Sequence, residues 1–105
     1  MKEKIKVFAE LLERDQRERY LRQYPNSPAG LTDSVCRVTV KPGKKYIKID
    51  VGTTGKYMVD QSGAIWGIKG YGVIHKGHQY GTLDTIGAWN WSEYYATNVT
   101  PVSSN

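Results

Sequence analysis

The chain has 105 residues, 39% of them hydrophobic, with 15 Lys and Arg against 10 Asp and Glu for a formal charge of +5. That length supports one core and little more, and the single cysteine, Cys36, excludes an internal disulfide and fits a reducing compartment. No apolar run approaches the ~18 residues of a membrane helix, and the opening MKEKIKVFAELLERD carries Glu3 and Glu10 where a signal peptide would be apolar. The expected location is the cytoplasm, with no membrane partner.

Residues 2–24 read as a helix. Ile5, Phe8, Ala9 and Leu12 fall on one helical stripe, which Tyr20 and Tyr24 extend across a gap at Gln16. Pro25 disfavours helical geometry in its predecessor and ends the run. The arginine-dense half, ERDQRERYLRQ, places Glu10 four residues before Arg14, Glu13 before Arg17, Asp15 before Arg19 and Glu18 before Arg22. Acid-first pairs at this spacing each add about 0.2–0.5 kcal/mol. The arginines are therefore read as answered within a solvated helix rather than as a nucleic-acid surface. Asn26-Ser-Pro-Ala-Gly30 is a run of turn formers in a linker expected over 25–33.

From residue 34 the period changes to two, and a sheet is expected over 34–80. In VCRVTV (35–40), Cys36, Val38 and Val40 share a face, and Lys41 to Lys44 then make a turn. In KYIKIDV (45–51), Ile47, Ile49 and Val51 alternate with Tyr46, Lys48 and Asp50. KYMVD (56–60) and AIWGIK (64–69) flank a hairpin connection at 60–63, and a fifth strand is expected over 71–75. The Trp-rich segment 81–98 holds a short turn through Ile86 and Ala88, then Trp89 and Trp91 on one extended face; 99–105 is a tail. The fold class is α+β: one domain with an N-terminal helix packed on a curled antiparallel sheet, or a small barrel, of about five strands.

Charge is unevenly placed. Between 34 and 76 there are eight basic residues against Asp50 and Asp60; after Lys76 there is no Lys or Arg. By alternation, Tyr46, Lys48, Tyr57 and Tyr71 border an exposed face. Aromatics interleaved with lysines are what single-stranded nucleic acid binds, rings stacking on bases and ammonium groups meeting phosphates.

GIKGYGVIHKGHQYGTLD (67–84) holds five glycines and two histidines. It lacks the GK[ST] ending of a phosphate loop and the strand–glycine–helix setting of a dinucleotide site. The glycines are read as permitting bends or bulges where the sheet curls. His75, His78 and Asp84 are metal-competent side chains, but Gly77 and Gly81 argue against the helical turn that H-x-x-H needs to converge. No nucleophile spacing accompanies the histidines as a general base, so catalysis has no motif behind it and no cofactor is expected.

The pattern KYIKIDVG…GKYMVD…GIKGYGVIHKGHQYGTLD, with AWNWSEYY beyond it, resembles short proteins carried by bacteriophages and other mobile elements, over roughly residues 44–95. The resemblance implies a bacterial cytoplasmic setting and an accessory role, binding nucleic acid or disabling a host defence or replication machine. It carries no residue roles with it.

The leading expectation is a non-catalytic basic binding module for nucleic acid or a nucleic-acid-handling protein complex. Its contacts would be Lys44, Lys45, Tyr46, Lys48, Lys56, Lys69, Tyr71, Lys76 and His78. The alternatives are a protein-interaction inhibitor using Trp89 and Trp91 as hot spots, and a metal-dependent hydrolase or small-ligand pocket around His75, His78 and Asp84. Exposed tryptophans and an edge strand would also allow a homodimer.

Overall fold

The structure, a computed structural model, describes residues 2–70, 73–92 and 96–98. Helix α1 spans Lys2–Gln23 and α2 spans Ala29–Cys36. Five strands follow: β1 (Val38–Lys41), β2 (Ile47–Val51), β3 (Thr54–Val59), β4 (Ala64–Gly70) and β5 (Val73–Thr82). They form one antiparallel sheet in chain order. A 3-10 turn at Ile86–Ala88 leads to β6 (Trp89–Asn90), which pairs with β7 (Thr97–Asn98). The α+β expectation holds, and the sheet stays open instead of closing into a barrel, with β1 and β5 as its edges.

The stripe on α1 buries Ile5, Phe8 and Leu12 against Ile49, Tyr57, Val59 and Ile65 of the sheet. Trp91 completes this core. It is wholly buried, with Phe8 and Tyr57 edge-on to it at 4.7 and 5.4 Å between ring centroids. Its indole N–H donates to the Ile86 carbonyl at 3.0 Å. The polar gap in the helical stripe is where α1 grips this segment: the Trp91 amide donates to Asp15 and the Gln16 side-chain amide donates to the Trp91 carbonyl. The acids of α1 thus serve tertiary contacts more than pairing along the helix. Of the four expected pairs, Glu13–Arg17 is formed at 3.6 Å, while Glu13 also accepts from the Val38 amide at 2.9 Å and Arg17 reaches Asp33 of α2.

Two expectations need correction. Residues 29–33 are not linker and 34–36 are not strand, because α2 occupies both. Pro28, extended at φ −60° and ψ 144°, stands directly before the helix, and Thr32 Oγ1 donates to the Pro28 carbonyl at 3.0 Å. Thr32 and Cys36, four apart, are the buried pair of α2. Cys36 is buried, and burial raises its thiol above the ordinary value, as befits a packing residue. The second correction concerns the tryptophans. With Trp91 inside the core, it cannot act as a surface hot spot or a dimer contact.

Candidate nucleic-acid interface

The side chains that face α1 (Val38, Val40, Ile47, Ile49, Tyr57, Val59 and Ile65) leave the alternate positions to the opposite face of the sheet. Register then decides which of those become neighbours. Lys41 stands opposite Lys48, Lys48 opposite Met58, Met58 opposite Trp66, and Trp66 opposite Gln79. One row thus crosses all five strands with two lysines at one end, Met58 in the middle, an indole beside it on β4 and a carboxamide at the far edge. Met58 lies between Lys48 and Trp66 in this register and keeps only 2% of its surface exposed.

The two acids of the sheet are both engaged on this side of it: Asp50 stands opposite Thr39, which alternates with the α1-facing Val38 and Val40. Asp50 is buried and pairs with Lys41 at 3.2 Å. Asp60 folds into the β3–β4 turn. There its Oδ1 accepts from the Ser62 amide and hydroxyl and the Ala64 amide, while Oδ2 accepts from the Trp66 indole N–H at 3.0 Å. Burial opposes ionisation of Asp60, but these hydrogen bonds outweigh it and hold the carboxyl below its ordinary value. One consequence is a fixed indole orientation. Another is that both carboxylates on this side are engaged, Asp50 with Lys41 and Asp60 with its turn and Trp66.

Of the sequence-predicted contacts, Lys48 lies in the row. Lys44, Lys45 and Tyr46 lie beside it in the β1–β2 connection, where the Lys45 ammonium stands 5.6 Å from the Tyr46 ring centre and the Gln61 side chain donates to the Lys44 carbonyl. Tyr57 is not exposed: it points into the core, and burial, with Tyr80 beside it, raises its phenol far above the usual value. Lys56 is on the α1 side, where burial and the nearby Arg19 lower its ammonium pKa. It and the exposed Lys69, at the end of β4, stand apart from the row. Tyr71 falls outside the described residues. Sequence reasoning missed Lys41, taken for a turn residue, and Trp66, taken for an ordinary strand residue; the signal was their place in a register that no single strand reveals.

Lys76 and His78 belong to a bulge. Gly67 and Trp66, adjacent on β4, pair with His75 and Gln79, so Lys76, Gly77 and His78 fall outside the β4–β5 register. The glycines do what the sequence suggested. A Cβ on Gly67 would stand 3.1 Å from the Tyr80 ring and 3.2 Å from His78 Cβ, so a side chain there would push on the bulge as it folds back over β4. Gly81 ends the excursion at φ +69°. His75 and His78 stack, with ring centres 4.0 Å apart and planes 13° from parallel.

In this arrangement His75, His78 and Asp84 do not converge as a ligand set. Nearly parallel rings direct their nitrogen lone pairs along planes that do not meet, and Asp84 pairs instead with Lys4. Among the described residues no group of three His, Cys, Asp or Glu side chains is placed to hold an ion. Also among them, no helix is long and apolar enough to cross a membrane.

Comparisons with family models, with curated proteins and with solved structures return no match.

Proposed function

We propose that the chain is a small basic module that binds single-stranded nucleic acid on the sheet face opposite α1. The row Lys41–Lys48–Met58–Trp66–Gln79 carries the reading. A strand laid across it would meet ammonium groups at phosphate level and a flat indole, held by Asp60, at base level. Counterion release supplies the salt-dependent share of affinity, and base stacking on one aromatic contributes about 1–3 kcal/mol. Lys44, Lys45 and Tyr46 extend the path at one end, and Lys76 with His78 border it at the other. A duplex cannot present its base faces to Trp66, which favours single strands.

The test is a binding titration, followed by fluorescence anisotropy of a labelled mixed-sequence strand and of its duplex, at several salt concentrations. The expected result is saturable binding that prefers the single strand and weakens steeply with salt. Trp66→Ala should weaken it roughly 5- to 150-fold, and Lys45→Glu with Lys48→Glu should both weaken it and flatten the salt slope. Lys41 is a poor choice of variant, because it pairs with the buried Asp50 carboxylate and its removal would mix a stability loss with a binding loss. Binding that ignores salt, or none to either nucleic acid, would sink the proposal.

A further inference from the structure

A second concavity lies on the other side of the sheet. It opens between the N-terminal half of α1 and the first two strands, with a volume of about 510 Å³, within the ~300–1,000 Å³ typical of small-molecule sites. Ile5 and Ala9 form the helix wall, and Val38, Val40, Pro42 and Ile47 form the other. Val38, Val40 and Ile47 are only partly buried, so the core is left open at this flank.

The rim is polarised. Lys2 and Lys6 border one end, four residues apart and thus one above the other on the helix. Lys4, on a different face, pairs with Asp84; Lys2 and Lys6 make no ion pair among the described residues. Both cations sit in the first two turns of α1, where the helix dipole already presents positive charge and favours anions. An anion held there would offset two like charges and their clash with the dipole. At the opposite end stand Glu10 and Glu13, and the Glu13 carboxylate is held by the Val38 amide and Arg17.

We infer that this groove binds a single-chain amphiphile with an anionic head, a medium-chain carboxylate, with its head at Lys2 and Lys6 and its tail running along Ala9 and Val40 toward Glu13. Shape favours this occupant over a second copy of the chain. The groove is concave, and two-fold pairing would set hollow against hollow. An added peptide strand fits less well, since β1 contributes the inward side chains of Val38 and Val40 and not its free backbone edge. The site is independent of the nucleic-acid face, which lies across the sheet.

The experiment is calorimetric titration of the full chain with octanoate, decanoate and dodecanoate, each below its micellar concentration, and with decanol. One-to-one binding should tighten about fourfold per methylene until the groove is full, from about 0.8 kcal/mol per buried methylene. Decanoate should bind several-fold more tightly than decanol. The double variant Lys2→Gln, Lys6→Gln, two exposed helix positions, should erase that preference while leaving decanol affinity unchanged. Ala9→Phe, filling the groove, should abolish binding of both with helical circular dichroism intact; should it unfold, the lysine variant still decides. Absence of binding, equal affinity for acid and alcohol in the native chain, or a preference that survives in the lysine variant would overturn the inference. So would a dimer in sedimentation that Ala9→Phe dissolves, which would give the groove to a second copy.

Discussion

Asp60 closes the β3–β4 turn through the Ser62 and Ala64 amides and the Ser62 hydroxyl, and it holds the Trp66 indole with its second oxygen. Hydrogen bonds to a charged acceptor contribute about 1.5–3 kcal/mol in buried settings and less at a half-exposed one. Asp60→Ala is therefore expected to lower stability by about 1–3 kcal/mol at neutral pH. The sign with pH follows from its lowered native pKa. The stabilisation is fully present above the unfolded value near 3.8 and is lost as pH falls through the native one. Urea unfolding at pH 7 and again near pH 3 should show the native-minus-variant gap shrinking in acid; a gap that widens in acid would refute the assignment. Because the same carboxylate orients Trp66, the variant should also lose affinity for single strands more than its stability loss explains.

At the level of elements, the tryptophans divide by role. Trp91 is locked between α1 and the 3-10 turn by both of its backbone groups and its indole, whereas Trp66 stands on the opposite face of the sheet. Trp91→Ala should cost about 3–5 kcal/mol, as large-to-small core changes of this size do, and should destroy the cooperative thermal transition or lower its midpoint steeply. Trp66→Ala should leave the transition largely in place while binding falls. Similar melting losses in the two variants would contradict this division. The sequence made α1 and the hairpins legible because their apolar periods, 3.6 and 2, survive without tertiary help. It concealed α2, since Pro28 and Gly30 are turn formers by type and Cys36 happens to alternate with Val38 and Val40. It also concealed the row, because neighbours across strands depend on register, and register here passes through irregularities at Ile49/Asp50 and on both sides of Trp66. The basic excess was visible from composition; which lysines share a face was not.

On the scale of the whole molecule, an open five-stranded sheet has two edges to protect from pairing with other chains. One edge, β1, is only four residues long and ends at Lys41. The other, β5, is ten residues long and would be a template for association if it were regular. Its bulge at residues 76–78, which falls outside the β4–β5 register, interrupts it and sets Lys76 on the rim. Removing them tests whether the bulge is an edge device, a binding element or both. With Lys76, Gly77 and His78 deleted, His75 and Gln79 become adjacent and still meet Gly67 and Trp66, which are themselves adjacent. Alternation is preserved too, since His75 pairs on the α1 side and Gln79 on the other. The deletion variant is therefore expected to fold with a β4–β5 pairing continuous from Trp66 to Ile68, its outer irregularities at Ala64/Trp66 and Ile68/Gly70 kept, and to unfold no earlier than the parent. It should also self-associate with rising concentration in sedimentation, and bind single strands more weakly through loss of Lys76 and His78. A variant that stays monomeric would show that the bulge serves binding alone. One that fails to fold would mean the stacked histidines, with Gly67 beneath them, contribute to the stability of the sheet itself.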